Sequence, residues 1–368
     1  MLSRTTNPLV TLLGLAALGM PFTGCALRTG SPVSVTPVYY PAAPSAPRIA
    51  YLTSIDGGDY FGAKRTKIEQ FLFGRHDDTA RAIGKPYGVT AGRETLLVCD
   101  TEQGVVHVFD FKTREYATLG ASGRGRLRKP VDVALDDAGN RYVADAARNE
   151  VVVFDRDNEA DRAIGGTGGG RRDFRPVGVE VFDGRLYVLN ASARRVEVLD
   201  PATGDILSTF GDSEGGGGLA WPGGLAVGDD GSAYVTDLQA FNVTSWDLDG
   251  RFGRSFGEAG DRPGQFTRPR HAAVGPDGVI YVVDAGFQRV QMFDDQGRVL
   301  MLFGGPTGEH GGLTLPGGVC CDRSLLPHFA QYVPGGFAAD YLVFVTDQLN
   351  DRCVHVYAFG RTKDAAER

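Results

Sequence analysis

The amino-acid sequence predicts an all-β fold: a six-bladed β-propeller with four-stranded blades, the last one closed by a strand from the N-terminal side. One phrase recurs six times with a proline at the same place in each copy, and neighbouring copies start 44 to 47 residues apart. The anchoring residues are Pro86, Pro130, Pro176, Pro222, Pro269 and Pro316. A period of about 40–50 residues built from short strands is typical of a propeller with one blade per repeat.

Each repeat contains four candidate strands. In the fifth repeat, between Pro269 and Gly304, they read HAAVG, VIYVVD, RVQMFD and VLMLFG, and the turns between them read PDG, AGFQ and DQG. Runs of β-branched and aromatic residues bounded by Gly, Asp and Pro are the usual signature of strands and turns. The inner strands alternate imperfectly, which favours sheets packed on both faces by neighbouring blades.

The sixth repeat is too short to supply four strands of its own. The distance from the Asp that ends the second strand to the closing Gly is 20 residues in the fifth repeat (Asp284 to Gly304) but 13 in the sixth (Asp347 to Gly360). A spare segment, RIAYLTSI at 48–55, precedes the first repeat. We expect this segment to pair with the sixth blade, because it would close the ring and cover an edge whose backbone groups are otherwise exposed.

The repeats resemble the NHL family of propeller repeats. The motifs stand here as PVGVEVFDGRLYVLN from Pro176, PGGLAVGDDGSAYVTD from Pro222 and RVQMFD from Arg289. The resemblance runs from Pro86 to Gly360 and implies the propeller fold. It implies little about function, because such propellers include protein scaffolds, RNA binders, sensors and a few enzymes. The chain departs from the motif at Asn190, where Asp is usual, and in the sixth repeat, where the second-strand Asp comes late.

The N-terminal residues 1–24 are predicted to be a lipoprotein signal peptide. Their apolar run, Pro8 to Met20, is too short to span a bilayer. The Cys at position 25 follows Thr-Gly and resembles a bacterial lipobox, which implies lipid attachment at Cys25 and, with Ala26 next, an outer-membrane location. An ordinary signal peptide with Cys25 as an incidental thiol is the other interpretation. Residues 25–47 would form a Pro-rich tether between the membrane and the propeller.

Composition and the remaining segments complete the domain plan. The propeller is expected over 48–360, with a short helix at 60–74, and residues 361–368 form a charged tail. The net charge is −7 and no basic stripe with interleaved aromatics occurs, so nucleic acid is excluded as a partner.

Besides Cys25, the cysteines are Cys99, Cys320, Cys321 and Cys353. An exported protein can form disulfides, and a bridge from Cys99 to the sixth blade stays open, but we expect buried free thiols.

The second strand of almost every repeat ends in an aspartate. The series is Asp100, Asp145, Asn190, Asp237, Asp284 and Asp347. A ring of carboxylates could bind a cation, but an Asp at a strand end also accepts N–H bonds from the following turn. One such residue per blade at the same register is what turn formation predicts, and it keeps the carboxylates apart. No metal site is predicted from this series.

Breaks in the repeat are more informative about a site. The third residue of the Pro-x-Gly segment is Gly in four repeats, but it is Asp132 in the second and His271 in the fifth. Blades three steps apart in a ring of six stand opposite each other. We therefore hypothesise that Asp132 and His271 face each other across the channel mouth, with Tyr87 and Arg270 beside them, and hold a small polar ligand or a metal. The other interpretation is that these two blades merely tolerate a side chain there.

An insertion in the sixth repeat is the second candidate surface. It spans 325–340, LLPHFAQYVPGGFAAD, and falls between the first and second strands, on the face opposite the channel mouth. Its aromatic residues Phe329, Tyr332 and Phe337 are candidates for a partner-binding loop, since aromatics are favoured at interface centres. The other interpretation, which the two prolines of an ordered loop also fit, is that these residues cap the propeller or pack on the segment at 60–74.

The sequence favours a non-enzymatic binding scaffold of the bacterial cell envelope. Of its six His residues only His271 starts an inner strand, and no catalytic triad pattern has a geometric basis, so no catalytic residue and no cofactor are predicted. Protein partners would bind the loop faces; a glycan or small-molecule ligand is a further candidate. The alternative is a metal-dependent enzyme with a central-channel site, because peptidyl amidating lyase and gluconolactonase-type hydrolases resemble this chain in using six-bladed propellers.

Overall fold

Six antiparallel β-sheets surround a central channel. The computed structural model describes residues 37–62, 82–166, 173–212, 217–306, 311–350 and 353–363. Five sheets have four strands and the sixth has five. The inner strands contact one another in a closed ring, from the first blade to the sixth and back to the first. The predicted six-bladed propeller with four-stranded blades is confirmed.

Each blade is built outwards from an inner strand that lines the channel. The chain begins with β1 (Tyr39–Tyr40) and β2 (Ile49–Ile55). The inner strands are β3 (Pro86–Gly92), β7 (Pro130–Leu135), β11 (Pro176–Phe182), β15 (Pro222–Val227), β19 (Pro269–Val274) and β23 (Pro316–Asp322). The second strands are β4 (Thr95–Asp100), β8 (Arg141–Asp145), β12 (Arg185–Asn190), β16 (Ser232–Asp237), β20 (Ile280–Asp284) and β24 (Phe337–Asp347).

The remaining strands complete the blades. The third strands are β5 (Val105–Asp110), β9 (Glu150–Phe154), β13 (Arg195–Leu199), β17 (Asn242–Asp247), β21 (Arg289–Phe293) and β25 (Val354–Thr362). The outer strands of the first five blades are β6 (Glu115–Leu119), β10 (Ala160–Gly165), β14 (Ile206–Phe210), β18 (Phe252–Phe256) and β22 (Val299–Gly304). The described residues also form a short helix, α1 (Leu326–Phe329), and 3₁₀ turns at Gly58–Phe61 and Ala330–Tyr332. None of the described helices is long and apolar enough to cross a membrane.

The ring is closed by a strand from the N-terminal side. Strand β2 pairs antiparallel with β25, from Ile49 opposite Phe359 to Ile55 opposite Val354, which is consistent with the predicted clasp. Strand β1 then pairs with β2, so the sixth sheet begins earlier than the predicted end of the tether at residue 47. Strand β25 also continues to Thr362, because the start of β24 pairs with it beyond Gly360. Cys25 lies outside the described residues, as does the predicted helix beyond residue 62.

Second-strand aspartates hold the turns, as the repeat predicts. Asp100 accepts hydrogen bonds from the backbone N–H of Gly84 at 2.7 Å, before the inner strand, and of Gln103 at 3.0 Å, after the second strand. Burial alone would raise the pKa of Asp100, but the His107 hydrogen bond at 3.2 Å and these N–H groups lower it to about 2. Asp145, Asp237, Asp284 and Asp347 accept equivalent bonds. These carboxylates are therefore occupied by backbone groups.

The departure at Asn190 has a local cause. Its Oδ1 accepts the same kind of turn hydrogen bonds, while its Nδ2 donates to Glu197 Oε1 at 3.1 Å. Glu197 stands on the third strand at the register where the first blade has His107, and its side chain is fully buried. An aspartate at 190 would place two buried carboxylates side by side. The neutral amide of Asn190, which donates a hydrogen bond to Glu197, avoids this repulsion.

We expect Asn190→Asp to destabilise the protein by about 2–4 kcal/mol at neutral pH, because it would place a second buried carboxylate beside Glu197, whose charge already pairs with Arg195 at 3.1 Å. The repulsion would raise the pKa of one carboxyl in the folded state. The folded variant would then bind more protons than the unfolded chain, and its stability would fall as pH rises from 5 to 8. Urea unfolding of the variant and the wild type at both pH values measures this difference. An equal stability loss at pH 5 and pH 8 would contradict the explanation.

The structure corrects the prediction that the aromatic residues of the sixth-blade insertion form a partner-binding loop. Phe329 is fully buried and Phe337 is 3% exposed, whereas Tyr332 is 38% exposed. The Phe329 ring packs on Phe111 and Tyr60, with centroids 5.2 and 6.2 Å apart. Two of the three candidate residues are therefore core residues that cover the face opposite the channel mouth, and among them Tyr332 alone presents substantial surface. Aromatic content did not distinguish these roles, because large apolar rings stabilise cores and interfaces alike.

The four cysteines within the described residues are all free thiols. Cys99, Cys320 and Cys353 are buried and Cys321 is partly buried. Burial raises the pKa of Cys99, Cys320 and Cys321 well above the ordinary value. The Cys353 thiol donates to the Ile83 carbonyl at 3.3 Å. The raised pKa values keep Cys99, Cys320 and Cys321 in the less reactive thiol form at neutral pH.

Candidate functional site

The third residue of each inner strand forms a ring around the channel. Four members are glycines, and the other two are Asp132 and His271. A methyl group on Gly88 would lie 2.7 Å from Asp132 Oδ1, and one on Gly224 would lie 2.8 Å from His271 Cα. Larger residues at these glycines would collide with the two polar residues. The glycines therefore provide the space that Asp132 and His271 occupy.

Asp132 and His271 meet inside this ring. His271 Nε2 is 3.6 Å from Asp132 Oδ1, and the two side chains are 6% and 4% exposed. The structure thus brings the two residues together as the repeat alignment predicts, while their role as a ligand site stays a prediction. Asp132 Oδ2 accepts the Val179 N–H at 2.9 Å, and this bond fixes the carboxylate on the neighbouring blade.

The His271 ring is buried without a hydrogen-bond partner on either nitrogen within the described residues. An unsatisfied buried polar group costs about 1–3 kcal/mol, so such groups are rare unless a ligand or a reaction uses them. With a proton on Nε2 directed at Asp132, Nδ1 is a free proton acceptor in the channel. The pair has the composition of an acid–base dyad.

Glu180 is a third titratable group in the channel, which the sequence interpretation missed. It stands two residues beyond the Asp132–His271 level on β11, where the other blades have the smaller residues Thr90, Ala134, Ala226, Ala273 and Cys320. Burial, and then the Asp132 carboxylate, raise the pKa of Glu180 well above its ordinary value. The signal was present in the sequence, because Glu180 breaks the repeat just as Asp132 and His271 do.

Tyr87 and Arg270 stand at the channel mouth, the face on which the inner strands begin. Arg270 is 7% exposed, and its Cζ lies 5.6 Å from the centre of the Tyr87 ring. Their backbones are fixed by threonine hydroxyls on the adjacent blades: Thr236 donates to the Arg270 carbonyl at 3.1 Å and Thr346 to the Tyr87 carbonyl at 2.6 Å. All four channel residues predicted from sequence therefore lie around one opening.

Gln348 is a fifth residue at the mouth and was not predicted. It follows Asp347 in the turn after β24, and it is 8% exposed. A methyl group on Gly317 would lie 3.1 Å from Gln348 Nε2 and 3.4 Å from Tyr87 Cα, so Gln348 borders Tyr87. Like Arg270 Nη1, Gln348 Nε2 is buried and has no hydrogen-bond partner in the described part of the chain.

The metal-dependent alternative does not fit the donors of this site. Across the described ranges, no group of three or more His, Cys, Asp or Glu side chains could hold a metal ion. Asp132 and His271 supply two donors, fewer than the three protein ligands that a catalytic zinc site normally has, and among the described residues Glu180 does not complete a set of three that could hold an ion. These donors therefore give no basis for a metal-dependent step.

Comparisons with known proteins relate the chain to solved propellers. No protein-family model matches the chain, and no curated protein matches it. A gluconolactonase from Xanthomonas campestris matches with a TM-score of 0.56 and 15% identity, over 88% of this chain and 94% of that one. A catalytically inactive variant of Staphylococcus aureus virginiamycin B lyase, with one His replaced by Ala, matches at 0.52 and 12%, over 75% and 96%. A luciferin-regenerating enzyme matches at 0.52 and 16%, over 76% and 94%.

These similarities establish the propeller fold. They also correct the prediction that the protein is not an enzyme, because solved structures with this fold include a lactonase, a lyase and a luciferin-regenerating enzyme. The premise behind that prediction was the lack of a catalytic set in the channel. That premise did not count Glu180, a third titratable group whose pKa is raised by burial and by the Asp132 carboxylate.

Proposed function

We propose that the protein is an enzyme that opens cyclic esters by general acid–base catalysis in the propeller channel, with Asp132, Glu180 and His271 as the reacting groups. The observation that carries this proposal is the buried His271 ring, with both nitrogens unpartnered and Nε2 3.6 Å from Asp132. A free imidazole held beside a carboxylate is the usual arrangement of a general base.

His271 would activate the attacking water. A water molecule in the channel donates a proton to His271 Nδ1 while its oxygen attacks the ester carbonyl carbon. Asp132, held by the Val179 N–H, would accept the hydrogen bond of His271 Nε2–H and stabilise the imidazolium that forms. The distance of 3.6 Å is longer than a hydrogen bond and would shorten with substrate in place, as catalytic contacts often do.

Glu180 would protonate the leaving oxygen. Its raised pKa favours the neutral carboxyl, which is the form that can donate a proton. When the tetrahedral intermediate collapses, the ring C–O bond breaks and the alkoxide takes the proton of Glu180. Water and lactone thus give one hydroxy acid, and the proton held on His271 returns to the medium as Glu180 is reprotonated.

The similar solved proteins support this reaction class. One is named a gluconolactonase, which is a lactone-opening activity. Another lost its lyase activity when a single His was replaced by Ala. Both observations concern those proteins, and they agree with a channel in which a buried His carries the chemistry.

The test is turnover of γ- and δ-lactones of four to eight carbons, followed by proton release, for the wild type and His271→Ala. We expect kcat/KM to fall by about 10²–10⁴-fold in the variant, the usual contribution of a general base. His328→Ala is the matched control, because His328 lies on the opposite face, 3.2 Å from Glu94. Failure of the wild type to open any of these lactones, or an unchanged rate in His271→Ala, would overturn the proposal.

A further inference from the structure

We infer that the substrate carries a carboxylate and that Arg270 and Gln348 bind this group at the channel mouth. The inference rests on the proposed lactone-opening function and names the class of lactone. It is carried by two buried donors that have no acceptor, on adjacent blades, bordering the same tyrosine.

Arg270 is a buried cation without an anion. Within the described residues no carboxylate lies at ion-pair distance from its guanidinium, and Nη1 has no hydrogen-bond partner. Its observed contact is the face of the Tyr87 ring, 5.6 Å from Cζ. An arginine is almost always charged, and a buried charge is normally paired. The missing counterion is the first indication of an anionic ligand.

Gln348 supplies a second orphan donor beside the first. Its Nε2 is buried and unpartnered, and it borders Tyr87 from the side of Gly317. Gly317 and Gly318 carry no side chains, so the inner strand of blade six adds no side chain of its own between Arg270 on blade five and Tyr87 on blade one. A ligand there is met by N–H donors from two sides.

The chemistry of these donors selects a carboxylate. Guanidinium and amide N–H groups offer only donors to the ligand, so the ligand must present acceptors, and the uncompensated cation requires negative charge. A planar carboxylate matches the fork of an arginine. Arg270 directly precedes His271 on β19, and neighbouring residues in a strand lie about 3.3 Å apart along the chain. Successive side chains of a strand point to opposite faces, so the proposed substrate would run from the mouth, where Arg270 holds its carboxylate, into the channel, where its lactone ring meets His271.

The test compares 5-oxotetrahydrofuran-2-carboxylate, a γ-lactone with a carboxylate, with its uncharged primary amide. We expect the wild type to prefer the carboxylate by about 10- to 100-fold in kcat/KM, the value of a charge-assisted hydrogen bond. Arg270→Met should reduce this ratio to about one, and Gln348→Leu should reduce it in part. Arg268→Met removes an exposed charge nearby and should leave the ratio unchanged.

A second measurement separates this inference from the proposed function. Calorimetric titration with glutarate or inorganic phosphate reports the anion site without any turnover. If the wild type binds glutarate, Arg270→Met does not, and the wild type opens no lactone, the proposed function is wrong and the carboxylate site is supported. If the wild type opens lactones but Arg270→Met has the same carboxylate-to-amide ratio in kcat/KM, the proposed function is supported and the carboxylate site is wrong. Tighter binding of phosphate than of glutarate would overturn the assignment of a carboxylate.

Discussion

Glu180→Gln is expected to lower kcat for alkyl lactones by about 10²–10⁴-fold, because an amide cannot donate a proton to the leaving alkoxide. Gln has the same shape and is uncharged, like the protonated acid, so KM should change little. Wild-type activity should decline as pH rises through the raised pKa of Glu180, and this alkaline decline should be absent from the residual activity of the variant. The measurement is kcat against pH for both proteins.

The leaving group gives a sharper version of this experiment. Dihydrocoumarin releases a phenoxide, which needs less protonation than an alkoxide. The loss in Glu180→Gln should therefore be much smaller for dihydrocoumarin than for δ-valerolactone. Glu159→Gln, on an exposed turn of blade two, is the control and should affect neither substrate. An equal loss on both lactones would show that Glu180 is not the proton donor.

The second large effect concerns the clasp. A chain that starts at residue 57 lacks β2, whose Ile49 and Ile55 are fully buried and whose Tyr51 is 8% exposed. Burial of each such side chain contributes about 1.5–3 kcal/mol, and a domain is stable by only about 5–15 kcal/mol in total. We expect this chain to lose its cooperative thermal transition and to associate through the exposed edge of β25.

A chain that starts at residue 37 is the matched control and should unfold at the temperature of the full-length protein. The two chains can be compared by scanning calorimetry and by light scattering. Addition of a peptide spanning residues 37–56 should restore a transition to the shorter chain, because β2 contacts the sixth blade as a separate strand. A shorter chain that unfolds cooperatively at the unchanged temperature would contradict the clasp role.

The repeat made the fold predictable, and it also set the limit of what could be predicted about the site. Every inner strand has the same register, so a residue that differs from its five counterparts is visible in the sequence, and ring symmetry places Asp132 opposite His271. Glu180 obeys the same rule one inward-facing position further along the strand. Glu180 was therefore visible in the repeat, although it is not among the residues predicted for the site.

Other parts of the site have no signal in the sequence. Gln348 lies in a turn, where a polar residue is ordinary, and only its burial beside Tyr87 distinguishes it. Phe329 and Phe337 have the composition of an interface, and only their contacts show that they belong to the core. Sequence periodicity determines which direction a strand residue faces, whereas the burial of a loop residue depends on which distant segment covers it.

The clasp also constrains the order of folding. The sixth sheet joins β2 to β25, about three hundred residues later in the chain. As synthesis proceeds from the N-terminus, β2 is made first and β25 last. The apolar strand β2 therefore lacks its partner in the sixth blade while the other blades form. The protein cannot acquire a complete set of core contacts until its final strand exists. A product truncated before Val354 would lack β25, so the strand edges of β2 and β24 that pair with it would both be exposed and the ring would stay open.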